Sequence, residues 1–331
     1  MFNRGVWLRI LGNSLLGVIL IGVWLKFVNP GEVLQIIKTA DFKVVFLFIA
    51  FFIISTILRA LRLKLLLSAY KIPFKDVTML NLLSQFLSFM IPIRVGEVAK
   101  SVYLTSQYNL PLGKTVIWVL VDRFLDFWGV LLLIAVLLVF VPTALPLKLT
   151  QTIFAIFGLV TLAFFLVLKS QSWSKKITTV ASSFFGIKRL RDGFLKLTHT
   201  LIEGFAILRR QPLEIGALIA LTFLALISDS FIWLALFNSL GVEVALPKVI
   251  LGTSLAALTF LIPAAPGYVG SAEAAILAVF GGIIGISNNL VSAVAVLFHI
   301  LTVVLLLIAG ISSLYLLKFD LNLVWKKFRR Q

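Results

Sequence analysis

The chain alternates long apolar blocks with short basic loops. A run of about 18 apolar residues is long enough to cross a bilayer as a helix. Six blocks approach or exceed that length: Ile10–Leu25, Val44–Leu58, Trp118–Val141, Thr152–Leu168, Ile215–Leu240 and Val291–Leu317. Neither a one-sided helical stripe nor strict alternation runs through them, as expected for spans that meet lipid or other helices on every side. Two further apolar blocks are interrupted. Met79–Tyr103 is broken by Pro92 and Gly96, and Val249–Ile284 by Pro263, Pro266, Gly267 and Gly270. Proline removes a helical hydrogen bond and clashes with the preceding turn, while glycine favours a bend. Each is predicted to enter and return on one side as a helical hairpin or broken helix. The predicted fold is an all-α polytopic membrane protein of about six full spans plus these two re-entrant hairpins.

The two interrupted blocks resemble each other. Phe86–Glu97 and Leu258–Glu273 both end an apolar half-helix with Ile-Pro, turn through glycine, and place a glutamate where a second half-helix begins. Three spans separate them, an odd number, so the copies face opposite sides. That is the pattern of an inverted repeat. The chain reads as one domain over 1–331, with a first repeat near 42–141 and a second near 213–317. Between them, 169–212 mixes bases with apolar residues at helical spacing (Phe184, Phe185, Leu190, Phe194, Leu197, Leu201, Phe205) and reads as an interfacial segment on the cytoplasmic surface.

Composition agrees. Hydrophobic residues make up 61% and charged residues 13%, against roughly a quarter charged in a soluble domain. The net charge of +17 does not point to nucleic acid, because the bases sit in short loops where positive-inside bias places them. With both termini inside, only Lys26, Lys38, Lys43, Lys148 and Lys248 fall outside, beside Glu32, Asp41 and Glu243. Arg59, Arg62, Lys64, Lys71 and Lys75 then form a cytoplasmic group after the second span. Arg4 and Arg9 precede an apolar run with no small-residue cleavage site, which reads as an uncleaved first span. The predicted location is the plasma (cytoplasmic) membrane. Cysteine is absent, which excludes disulfides and thiolate chemistry, and two histidines without carboxylate help do not make a zinc site. No cofactor or metal is expected. Neither a P-loop, nor a nucleophile elbow, nor an H-E-x-x-H motif is present.

An ionisable group in a membrane costs at least about 2.5 kcal/mol at a helix centre, so embedded ones carry information. Arg94 and Glu97 stand at the first break, where a half-helix N-terminus and a guanidinium fork suit an anion. The alternative is a buried ion pair that only fixes the fold. Asp122, Arg123 and Asp126 share a helical surface at the start of a long span, as an interfacial entry cluster or a gate. Glu273 mirrors Glu97 and suits a helix cap. Asp229 has no base near it in sequence, so its partner comes from another helix or it is protonated. Arg59 and Arg62 are expected to snorkel. His299 reads as a hydrogen-bonded packing residue.

Arg59-Ala-Leu-Arg62, Pro92-Ile-Arg94-Val-Gly96-Glu97, Asp122-Arg123-Phe-Leu-Asp126 and Pro266-Gly267-Tyr-Val-Gly270-Ser-Ala-Glu273 resemble, in order, the signatures of the lysylphosphatidylglycerol synthase transmembrane, or flippase-like, family. This family includes the membrane half of the bacterial multiple peptide resistance factor. The resemblance implies lipid translocation without catalysis. It also implies an anionic phospholipid or lipid-linked intermediate as substrate. The present residues depart from the resistance factor in carrying no synthase domain, which leaves the lipid open. The expected head-group residues are Arg94, Arg123, Arg62 and Arg59. Those expected to couple or gate are Glu97, Asp122, Asp126, Asp229 and Glu273. The protein partners this reading allows are a second copy of the chain and a lipid-synthesising enzyme. Alternatives from the residues alone are a soluble-anion transporter, a non-catalytic partner in lipid or glycan biosynthesis and, disfavoured by the short outer loops, a glycosyltransferase.

Overall fold

Proline stands at the start of several of the helices, at positions where its missing N–H costs nothing. In a computed structural model of the chain, Pro73, Pro111 and Pro146 each precede a helix, and Pro30 and Pro212 open one. The structure describes residues 18–19, 21–22, 25–41, 43–91, 95–183, 186–208, 212–259 and 265–320. Most of the first span, together with Pro92, Arg94 and Pro263, lies outside the described residues. The elements are α1 (Pro30–Lys38), α2 (Lys43–Leu66), α3 (Phe74–Met90), α4 (Val95–Tyr108), α5 (Leu112–Phe140), α6 (Leu147–Lys169), α7 (Gln171–Ser182), α8 (Lys188–Leu208), α9 (Pro212–Ser239), α10 (Leu246–Thr259), a 3-10 turn (Pro266–Tyr268), α11 (Ser271–Ile276), a π-helical stretch (Leu277–Ile283) and α12 (Asn288–Leu316). Five of these, α2, α5, α6, α9 and α12, are long and apolar enough to span a membrane.

Both interrupted blocks fold as hairpins. Helices α3 and α4, at 17 and 14 residues, are about 26 and 21 Å long, short of a hydrocarbon core of about 30 Å. They run antiparallel. At the open end Tyr108 donates to Asp76; near the tip, Gly96 lies directly on the Ser84 carbonyl, where any β-carbon would overlap the backbone. In the second hairpin, Gly252 of α10 packs on the ring of Phe280. Its turn needs left-handed backbone at Gly267 (φ 67°) and Gly270 (φ 79°), and Tyr268 between them takes the same region (φ 58°). A non-glycine residue there is a strained exception.

The hairpins open toward opposite ends of the bundle. One end gathers residues assigned outside by the charge count: Glu32 accepts from Asn289, the Asp41 amide donates to the Ser239 carbonyl, and Ala144 bonds Ile283 at the open end of the second hairpin. Lys64, bonded to the Ile72 carbonyl, and Asp76 stand with the open end of the first. The tips meet between them: Phe89 at the end of α3 packs on Tyr268 at 6.1 Å and on His299 at 5.9 Å.

Two apolar cores fill the bundle. Along α9, Leu218 belongs to one and Ile232 to the other, with Thr222, Ser228, Asp229 and Ser230 between. Along α5 the change falls between Trp128 and Val130. The most extensive helix pairing is α2 with α9, where Phe51 stacks on Phe231 at 5.1 Å and Ser228 donates to the Phe51 carbonyl. Within 169–212 lie α7 and α8, while Phe184 and Phe185 fall outside the described residues. The C-terminal half of α8 is built into the bundle: Gly204 abuts Val121 and Ile117, and Phe205 meets Phe124 and Phe164. Its first half leaves Leu190 and Leu197 exposed.

Candidate functional site

Two expectations about charge placement are corrected by helix length. Helix α2 does not stop near Leu58 but runs to Leu66, so Arg59 and Arg62 lie within it. They do not snorkel: Arg62 is 0% exposed. Helix α5 begins at Leu112, which puts Asp122 about 15 Å along the axis rather than at the helix entry. In both helices the apolar run was visible, but the flanking charged turns hid its true extent.

Arg62 spans α2, α5 and α9. Its Nε donates to Asp122 Oδ1 at 2.8 Å, and its Nη1 to Asp126 Oδ1 at 2.6 Å and Thr222 Oγ1 at 3.0 Å. Its Nη2 is 2.7 Å from Asp122 Oδ1. Spacing of four puts Asp122 and Asp126 on one helical face, and one guanidinium fork engages both. Arg62 is thereby consumed by the fold and does not line the cavity described below.

Arg123 takes the outer sides of the same carboxylates. Its Nη2 is 2.7 Å from Asp122 Oδ2, Nη1 is 3.1 Å from Asp126 Oδ2, and Nε is 3.3 Å from Glu97 Oε1. Its side chain remains 34% exposed. Arg59 pairs with Asp229, Nη2 to Oδ2 at 2.6 Å, while Ser55 Oγ donates to Asp229 Oδ1 at 2.5 Å and also contacts Arg59. Asp229 therefore finds its base on another helix, as its isolation in sequence required. At the second tip, Glu273 accepts the Gly270 N–H at 2.7 Å and meets His299 Nδ1 at 2.6 Å. It caps α11 and ties it to α12.

Several of these groups face one cavity of about 370 Å³, within the size range of small-ligand sites. Arg59, Arg123, Glu97 and Asp229 line it; Asp122, Asp126, Glu273 and His299 stand outside its lining. Of the helix-breaking residues, Gly96 sets the close approach of α4 to α3, and Pro266, Gly267 and Gly270 shape the second turn. Polar groups of α3, α4 and α5 share the lining with Phe48, Phe52, Ile232, Trp233, Phe298 and Leu306.

Sequence reasoning missed part of this wall. Lys100 is 1% exposed and lies 3.9 Å from Glu97 Oε2 and 3.8 Å from Asp122 Oδ2. Its signal was its place one helical turn after Glu97 in an apolar block. Asn81, Ser84, Gln85 and Ser88 also line the cavity. Spaced three, four and seven apart, they form one stripe on α3, a pattern that apolar neighbours such as Leu83 and Leu87 concealed. Among the described residues no group of three or more metal-ligating side chains is found.

One constant shift carries Val95, Glu97 and Arg123 onto Ser271, Glu273 and His299, and Leu112–Phe140 onto Asn288–Leu316. Glutamate in the first turn of the returning limb thus meets a base on the following span in both hairpins. Neither a curated protein nor a solved structure matched the chain. The family model described as "Lysylphosphatidylglycerol synthase TM region" matches residues 10–310. The four motifs and this match over most of the chain agree: the protein belongs to the lysylphosphatidylglycerol synthase transmembrane-region family.

Proposed function

We propose that the protein moves an anionic phospholipid or lipid-linked intermediate across the bilayer, in the plasma membrane, with both termini cytoplasmic. Family membership supports lipid handling by a membrane domain that is not the family's catalytic part. The observation that carries the step to translocation is the cavity's mixed lining of guanidinium groups and aromatic rings. Arg123, about one-third exposed, and part-exposed Arg59 share its lining with the aromatic rings of Phe48, Phe52, Trp233 and Phe298. A head group fits the guanidinium groups, and the tails fit the rings.

The lipid phosphate replaces Glu97 on Arg123 and Asp229 on Arg59, exchanging one charge-assisted pair for another. Arg94, which lies outside the described residues, is the third expected donor. Arg62 acts as scaffold, holding Asp122 and Asp126 so that they orient Arg123. The hairpins, opening at opposite ends and touching at their tips, form the two halves of an inverted repeat. Rocking of one half against the other exposes the cavity to each side in turn. The Glu273–His299 pair gates the second tip, and the released carboxylates Glu97 and Asp229 take up protons. Assembly with a second copy or with a lipid-synthesising enzyme fits this role.

The test is a proteoliposome assay with a tail-labelled fluorescent phosphatidylglycerol, quenched from outside by dithionite. A charge-assisted hydrogen bond is worth about 1.5–3 kcal/mol, so Arg123→Gln is expected to slow exchange by about tenfold or more. Arg123→Lys retains the charge without the fork and falls between. Equal rates for wild type and a folded Arg123→Gln would overturn the assignment.

A further inference from the structure

The described charges around the cavity are already paired with one another before a head group arrives. Among the described residues the cluster comprises four bases, Arg59, Arg62, Lys100 and Arg123, and four acids, Glu97, Asp122, Asp126 and Asp229. It is balanced. A phosphate that enters gains one charge-assisted pair and releases another, so the exchange is close to even. The net affinity must come from groups that are not already satisfied within the protein.

The α3 stripe supplies such groups. Asn81 is 1% exposed, lines the cavity, and its Nδ2 is buried with no hydrogen-bond partner among the described residues. An unpaired buried amide is costly, which favours a ligand that accepts from it. Elsewhere in the wall, Ser55 serves Asp229, Thr253 is bonded to Ser230 and to the Ile250 carbonyl, and the buried Arg123 Nε and Glu97 Oε2, which also make no hydrogen bond, belong to charged groups already held in ion pairs. Beside Asn81, Ser84, Gln85 and Ser88 add two hydroxyls and a second amide along about two helical turns. Amides and hydroxyls both donate and accept. Their natural complement is a row of hydroxyls rather than a second charge.

Resting on the translocation reading above, we propose that this stripe is the subsite for an uncharged, hydroxyl-rich part of the head group. That part is a polyol or a sugar linked to the lipid through a phosphodiester. The phosphate stands at Arg123 and Arg59 and the hydroxyls lie along α3. Asn81 and Gln85 are then specificity-determining residues.

The test compares two lipids of equal charge and acyl chains on the full chain in detergent. Phosphatidylinositol carries the hydroxyls, and phosphatidylmethanol does not. Binding is read by competition in native mass spectrometry. A hydrogen bond contributes about a fivefold change in affinity, so two predict a preference for phosphatidylinositol of about tenfold or more. Gln85→Met, which keeps length at a half-buried position, and Asn81→Leu should each remove most of that preference and leave phosphatidylmethanol binding within about twofold. Gln85→Met decides the matter where Asn81→Leu does not fold. Equal binding of the two lipids by wild type, or an undiminished preference in Gln85→Met, overturns the subsite. A Gln85-dependent preference without translocation in proteoliposomes would sink the transport reading and leave the subsite standing.

Discussion

Replacing Arg62 by methionine tests the scaffold role most directly. The side chain is wholly enclosed and makes four close contacts, two to Asp122, one to Asp126 and one to Thr222. Methionine keeps much of the volume and removes all four. Taking one partner from a buried ion pair typically costs about 3–5 kcal/mol, chiefly because the other charge is left uncompensated. Here the compensation that remains is specific. Asp122 keeps Arg123 at 2.7 Å and Lys100 at 3.8 Å, and Asp126 keeps Arg123 at 3.1 Å. The expected loss is therefore near the lower end, about 3 kcal/mol.

Reversible unfolding in mixed micelles of dodecyl maltoside and SDS measures this loss, with Asp122→Asn as the second arm of a double-mutant cycle. If the cost of Arg62→Met is stranded charge, Asp122→Asn in that background should recover about 1 kcal/mol or more, although it destabilises the wild type. A loss under about 1 kcal/mol for Arg62→Met would refute the scaffold argument. So would strictly additive effects of the two substitutions, since residues bonded this closely must couple.

Gly96→Ala should lower the yield of folded protein, because the added carbon has nowhere to go between α4 and the Ser84 carbonyl; Gly22→Ala, with open space around it, should be neutral by size-exclusion profile. Glu273→Gln keeps the size of the cap but weakens its hold on the Gly270 amide and on His299, and should cost about 1 kcal/mol in the same unfolding assay. Arg59→Gln frees Asp229 and Ser55 at the cavity wall and should reduce lipid exchange at least as far as Asp229→Asn does, by the dithionite assay.

How far the sequence could be read depended on whether a feature was local. Helix breaks are local. Pro266, Gly267 and Gly270 announced the second turn from their chemistry alone, and Gly267 and Gly270 take the left-handed conformations that glycine permits. Span existence was also local, because about 20 apolar residues signal themselves without reference to the rest of the chain. Pairing is not local. Nothing in the sequence joins Arg59 to Asp229 across 170 positions, or Arg62 to Asp122 across 60. Their residue types said only that partners were needed. The charged residues also misled on length, since Arg59 and Asp122 read as ends of spans when their counter-ions in fact let the helices continue.

The correspondence between the hairpins separates what the fold requires from what a substrate requires. In both, a first-turn glutamate meets a base of the following long helix, Glu97 with Arg123 and Glu273 with His299. A contact kept by both copies is what the architecture needs to tie the returning limb to its span. What differs is what surrounds it. The first copy adds Lys100, Asp122, Asp126 and the reach of Arg62, and packs its polar α3 stripe into the cavity. By the same shift, the positions of Asn81, Ser84, Gln85 and Ser88 correspond in sequence to Ala257, Phe260, Leu261 and Ala264, none of them polar. An anion meets a guanidinium at one tip and an imidazole already engaged with Glu273 at the other. On the proposed reading, head-group recognition falls to the first hairpin. The second, with its strained Tyr268 and its left-handed glycines, has the features of the part that yields.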